Sequence, residues 1–247
     1  MSKVNLKQQA YNIIKEKIIT CEYAPNMDLS EAYLLEDTGL SRQPIRDALS
    51  RLEQEHLITI KAKKGVRVSD VTINDINMIF EARNLIEPYI IRRYGERIDK
   101  HELQNIRKQF VKMLSLEQSQ KLSEAYTAIE LRVRQEADDN FHQQVIQGSG
   151  NTYLVLFMQL NNNQNTRLRA LTSSYSKNSD SHVDFTSFTH NRMCNSHQEH
   201  IKIIDFLLKN QYEDAALAME EHLASSKDAI FKTIICNGGW AMLEALN

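Results

Sequence analysis

Three observations predict a mainly α-helical fold, with one small β-hairpin near the N-terminus and an antiparallel helical bundle after it. Only 7 Gly and 3 Pro occur among 247 residues, about a third of their usual share, which leaves little room for sandwiches, barrels or long loops. Apolar residues recur at helical spacing over nearly all of the chain beyond residue 71. Two short β-prone runs sit together close to residue 60.

The length suits two domains, and a change of texture divides residues 1–70 from residues 71–247. The formal charge of −2 makes no overall electrostatic case for nucleic acid. Three cysteines, Cys21, Cys194 and Cys236, are too few and too scattered for a disulfide framework or a thiolate zinc site, which suits a reducing, cytoplasmic setting. The first residues contain no apolar signal region, and no run approaches the roughly 20 apolar residues of a membrane span. A soluble protein, neither exported nor membrane-spanning, is expected.

In the first segment Ile13, Ile14 and Ile18 mark one helix, and a short apolar-periodic stretch from Ala32 to Glu36 follows Leu29-Ser30-Glu31. Thr38-Gly39-Leu40-Ser41 reads as a tight turn. Ser41 is a good N-cap for the next helix, and Pro44 is tolerated in its first turn, where N–H groups lack intrahelical partners. Ile45, Ala48, Leu49 and Leu52 form one buried stripe of that helix, while Arg42, Gln43 and Arg46 project elsewhere near its N-terminal end. Leu57–Ile60 and Val66–Val68 then make a hairpin around Lys61-Ala62-Lys63-Lys64-Gly65. This order is that of a winged helix-turn-helix.

Beyond it, Thr72-Ile73-Asn74-Asp75 resembles a capping box opening a helix through Ile79, Ala82, Ile86 and Ile90, in which Pro88 introduces a kink or a break. Amphipathic stretches follow near 100–117, 122–147, 152–174, 185–209 and 212–235. Their short connections predict antiparallel neighbours. Asn161–Gln164 reads as a polar helix face and the Ser-rich Thr172–Ser181 as a loop.

Two constellations carry chemistry. From Thr38 to Arg67 seven basic residues, Arg42, Arg46, Arg51, Lys61, Lys63, Lys64 and Arg67, outnumber three acids, while residues 71–247 carry −3. An arginine fork near a helix N-terminus suits guanine in the major groove, and wing lysines suit phosphates. A solvated basic face is the bland alternative. The second constellation begins with Asp138 and His142, four residues apart on one predicted helix. His200 and His222 are equidistant from a predicted turn at Asn210-Gln211, so folding back at that turn brings them side by side. One carboxylate and three imidazoles suit zinc, nickel, manganese or iron; hydrogen-bonded core histidines are the alternative.

Leu29 to Leu57, LSEAYLLEDTGLSRQPIRDALSRLEQEHL, resembles the winged helix-turn-helix of GntR-superfamily transcription regulators, with Ser41-Arg42-x-Pro44-x-Arg46-x-Ala48-Leu49-x-x-Leu52 as its specific part and Lys64-Gly65-Val66-x-Val68 like the family wing. The remainder resembles the all-helical FCD effector domain of the FadR subfamily. Arg83-x-x-x-Glu87, Asp138-x-x-Phe141-His142-x-x-Val145-Ile146, Ser149-Gly150-Asn151, Glu199-His200 and Glu221-His222-Leu223 carry that resemblance. It implies a DNA-binding regulator, a repressor by preference and not an enzyme, acting as a homodimer on operator DNA. Ser41, Arg42, Gln43, Arg46, Lys63, Lys64 and Gly65 would face DNA. Asp138, His142, His200 and His222 would hold a divalent metal, zinc first with nickel, manganese or iron as alternatives. A small organic acid would bind that metal with Arg83 supplying charge.

A direct metal sensor and a metal-dependent hydrolytic enzyme are the competing readings, the latter weakened because Asp138 would be used as a ligand. Ala32, Gln43, His56 and the Cys21–Asn26 loop depart from the family pattern. Ala32 removes a family arginine, Gln43 implies a changed operator preference, and the others stand in place of glycines.

Overall fold

The structure is a computed structural model that describes residues 5–61, 65–119, 128–177 and 185–236. These divide into two compact units, Met1–Thr72 with Asn163–Leu171, and Ile73–Asn162 with Thr172–Asn247.

In the first unit, α1 (Leu6–Ile19) is capped by Asn5, whose side chain accepts from the Gln8 N–H, and it buries Ala10, Tyr11, Ile14 and Ile18. Ile13 is only half-buried. A loop leads to β1 (Asp28–Leu29) and then to α2 (Glu31–Thr38), which Ser30 caps and which ends on Gly39 in the left-handed conformation. The Gly39 N–H donates to the Leu35 carbonyl, so the turn closes one helix before Ser41 opens α3 (Arg42–Gln54). All four residues of the expected stripe, Ile45, Ala48, Leu49 and Leu52, are buried, and α3 packs chiefly against α1.

Two further strands, β2 (Ile58–Lys61) and β3 (Gly65–Val68), pair antiparallel from Ile58 opposite Val68 to Lys61 opposite Gly65. β1 adds to the free edge of β3, with Asp28 opposite Arg67 and Leu29 opposite Val66, giving a sheet of order β1-β3-β2. The hairpin was expected and β1 was not, because two residues are too short to display a period.

The second unit begins with α4 (Ile73–Tyr94), which runs through Pro88 without ending, and a 3-10 turn at Gly95–Arg97. Then come α5 (Lys100–Ser119), α6 (Ala128–Gln147), α7 (Thr152–Lys177), α8 (Phe185–Leu208) and α9 (Tyr212–Cys236). α4 packs on α9, α9 on α8, α8 on α5, α5 on α6, and α6 on α4. These five helices therefore close into a ring around one interior.

The Ser-rich stretch departs from expectation. α7 continues through Thr172 to Lys177, and the remainder of the expected loop lies outside the described residues. Ser and Thr are only mildly unfavourable in a helix, and the apolar run that opens α7 propagates past them. Among the described residues no helix is long and apolar enough to cross a membrane.

Candidate metal centre and nucleic-acid face

The interior of the helical ring is polar where sequence patterning would place aliphatic residues. On α4 the buried stripe of Ile76, Ile79 and Phe80 continues through Arg83 and Glu87 before returning to Ile90 and Ile91. Arg83 Nε donates to Glu87 Oε1 at 2.7 Å, and Glu87 Oε2 lies 2.5 Å from His142 Nδ1, all three side chains being buried. Burial works to raise the Glu87 carboxyl, but the Arg83 guanidinium and His142 outweigh it and hold it at about 2. An ionised carboxylate can only accept, so His142 donates from Nδ1 and its lone pair sits on Nε2.

A second set repeats the arrangement. Arg192 Nη1 donates to Glu199 at 3.1 Å, and Glu199 Oε2 accepts from His222 Nδ1 at 2.8 Å. Burial would raise Glu199, and its bond to His222 together with Arg192 keeps it low. His222 itself is pushed down to about 4, by burial first, and His142 is lowered for the same leading reason. His200, stacked on Phe110 at 4.6 Å between ring centres, falls well below the ordinary imidazole value through burial and the neighbouring His222 and His142. All three histidines are thus shifted towards the neutral form that metal ligation requires.

Asp138 Oδ1 lies 3.3 Å from His200 Nε2 and 4.0 Å from His142 Nε2. The rings of His200 and His222 are 4.3 Å apart, as folding back at Asn210 requires. One ligand atom from each of Asp138, His142, His200 and His222 falls within 4.8 Å of all the others. Donors held at about 2.1 Å from one ion lie at most about 4.2 Å apart, so the set needs only a small contraction. His142 Nε2 and both nitrogens of His200 are buried without a hydrogen-bond partner. Unpartnered nitrogens on buried imidazoles, with His142 and His222 oriented by carboxylates, fit a divalent metal.

A third Arg–Glu–His set lies outside the four. Arg134 Nε donates to Glu117 Oε1 at 2.9 Å, and Glu117 Oε2 lies 3.1 Å from His197 Nδ1. The spacing of the candidate ligands was legible in sequence, but Glu87 and Glu199 entered only through the family pattern, without a role. The signal that could have found Glu87 is its place, with Arg83, on the apolar stripe of α4.

In the first unit, Ser41 occupies the N-cap of α3 without a side-chain cap hydrogen bond. Arg42 and Arg46 are largely exposed and share Glu31, at 3.8 and 3.3 Å. Gln43 Nε2 donates to Asp47 at 3.0 Å. Gly65 opens β3 with φ of +92°, a backbone conformation that side chains resist. Lys63 and Lys64 lie outside the described residues. Among the described basic residues, Arg51 and Arg67 are held by their own acids as well. Arg51 stacks 3.6 Å over the Tyr11 ring and pairs with Glu55, and Arg67 forks onto Asp28 with two bonds of 2.6 Å.

Comparison with known proteins agrees with both halves. Residues 78–225 match the FCD domain and residues 6–68 match the bacterial regulatory proteins of the gntR family. The HTH-type transcriptional repressor RspR of Escherichia coli is 29% identical over 145 residues, 58% of this chain and 58% of that protein. The gluconate operon transcriptional repressor of Bacillus licheniformis is 24% identical over 75% of this chain and 72% of its own. Among solved structures, E. coli McbR/YncC superposes with a TM-score of 0.69 at 15% identity, covering 93% of this chain and 99% of that one. A GntR regulator from Rhodococcus gives 0.68 at 17% identity over 92% and 97%. These two share the fold. With the FCD match alone covering residues 78–225, more than half of the 247-residue chain, and the gntR-type match preceding it, the chain belongs to the FCD-domain regulators of the bacterial gntR family.

Proposed function

We propose that this protein is a cytoplasmic transcription regulator, a repressor by preference, whose dimer binds operator DNA and whose affinity is set by a small organic acid in a metal-containing pocket. The observation that carries the reading is the presence on one chain of a convergent Asp138, His142, His200 and His222 set and of a helix whose first turns expose Arg42 and Arg46.

Arg42 and Arg46 would read base edges, with Gln43 adding preference for adenine, Lys63 and Lys64 would meet phosphates, Gly65 at the wing tip would approach the minor groove, and Ser41 would face DNA at the start of α3. A divalent ion at the four ligands, zinc first or else nickel, manganese or iron, would supply a Lewis-acidic position for a carboxylate. Glu87 and Glu199 fix the tautomers that expose Nε2, and Arg83 keeps Glu87 ionised while adding positive charge for an anionic effector. Occupancy would change DNA affinity by linkage.

Operator titration of the metal-loaded protein, with and without a panel of organic acids, tests this. Arg46→Ala should abolish specific binding while leaving metal content intact, and retained specific binding overturns the DNA assignment. His200→Ala should lose metal and effector response together; normal metal stoichiometry would remove His200 from the centre. A response to metal concentration alone favours a metal sensor.

A further inference from the structure

Two of the three candidate histidine ligands are aimed by a hydrogen bond, His142 by Glu87 and His222 by Glu199. His200 is not. Both of its ring nitrogens are buried without a hydrogen-bond partner among the described residues. An imidazole with no such bond is free to turn about its Cβ–Cγ axis, and a lone pair turned away is lost to an ion.

Aromatic rings hold this one instead. Phe110 on α5 lies face to face with His200, with 4.6 Å between ring centres and 16° between planes, and Phe141 meets the same imidazole edge-on at 5.0 Å. His197 also packs on Phe110, at 5.4 Å. His197 is itself pinned, because Nδ1 donates to Glu117 Oε2 at 3.1 Å and Glu117 Oε1 accepts from Arg134 Nε at 2.9 Å. Phe110, Phe141 and Glu117 are fully buried, and His197 and Arg134 nearly so.

The same contacts tie helices together. α5 supplies none of the four candidate ligands, yet it packs on both α6 and α8, which supply three of them. Near its end Glu117 joins Arg134 on α6 to His197 on α8. Arg134 stands one turn before Asp138, and His197 one turn before His200. The bridge therefore lies one turn from the place where Asp138 Oδ1 comes within 3.3 Å of His200 Nε2.

From this we infer that Phe110, Glu117, Arg134 and His197 are positioning residues of the metal centre. Arg134 and Glu117 fix His197, His197 supports Phe110, and Phe110 sets the plane of the His200 ring while the bridge keeps α6 and α8 in register. An apolar filling of the same volume would serve stability about as well as a buried ion pair, but it would not specify which way an imidazole faces. The inference rests on the metal-binding reading above and adds to it the residues outside the ligand set on which the site depends.

The test is chelator competition for zinc, together with absorption of the cobalt(II) form, on the full-length wild type, Phe110→Leu and Glu117→Gln, with circular dichroism recorded for each. Both variants should keep the wild-type helicity, hold zinc about 10-fold more weakly and shift the cobalt d–d bands, as changes to the outer partners of metal ligands do. Folded variants with unchanged zinc affinity and an unchanged cobalt spectrum overturn the inference while leaving the metal centre standing. A wild type that takes up neither metal overturns the metal reading itself. A measurement on the wild type alone completes the test: ring-current shielding by Phe110 should move the His200 ring protons upfield in NMR spectra recorded with and without zinc. Ordinary positions for those protons in the zinc-loaded protein overturn the role of Phe110.

Discussion

His56 shows how a single residue preserves a backbone that its family builds with glycine. It follows the end of α3 at φ of +58°, exposed, in the left-handed region that costs a side chain about 1 kcal/mol. Cys21 and Asn26, the other departures, stand at +60° and +65°, so the loop keeps a glycine-like path without glycine. His56→Gly should gain up to about 1 kcal/mol of unfolding free energy, reduced by the wider freedom of glycine in the unfolded chain, as urea denaturation would read. Glu117 carries a pH signature. Burial tends to raise its carboxyl, but the bonds to His197 and Arg134 prevail and hold it below the ordinary range. A folded-state value lower than the unfolded one means stability fully present above the ordinary carboxylate range and lost as pH falls towards the lower, folded value. Thermal midpoints should therefore drop more steeply from about pH 5 to pH 3 in the wild type than in Glu117→Gln. Of the candidate metal set, the convergence of all four residues was readable from spacing, whereas the contacts of Glu87 and Glu199 were not. Their work consists of a hydrogen bond to an imidazole on another helix, and no spacing along the chain encodes such a contact.

Elements were legible where a period was long and its ends were punctuated. The stripe of α3 and the fold-back of α8 on α9 followed from spacing and a turn, and so brought His200 to His222. The turn itself uses Asn210 at φ of +60°, a residue that tolerates the left-handed region better than most. Two elements resisted. Composition alone made Thr172–Ser181 a loop, yet α7 continues through its first part to Lys177. Pro88 was expected to kink or break α4, and the helix continues past it, with Pro88 buried beside Glu87. A methyl group on Gly148 would collide with Ile98 and lie 3.2 Å from the Val145 carbonyl. Gly148→Ala should thus cost about 1–3 kcal/mol, with the urea midpoint lowered and the m-value unchanged.

For the whole molecule, the formal charge of −2 conceals an uneven distribution, with the excess of basic residues gathered between Thr38 and Arg67. The sequence count of seven basic side chains there overstates what DNA would meet. Arg51 on Tyr11 and Glu55, and Arg67 on Asp28, already have their opposite charges from the protein. When a phosphate replaces a condensed cation, affinity is gained by releasing that cation to bulk solution, and a guanidinium neutralised within its own domain releases nothing. Arg42 and Arg46 share the single charge of Glu31, so the ionic-strength dependence of operator binding should reflect about four of these charges per copy. Arg51→Ala should leave the slope of log affinity against log salt nearly unchanged, whereas Lys61→Ala should flatten it by about 0.9 for each copy bound. The ion pairs that shape the winged unit would thus also set how sharply a change in cellular salt loosens the proposed hold on DNA.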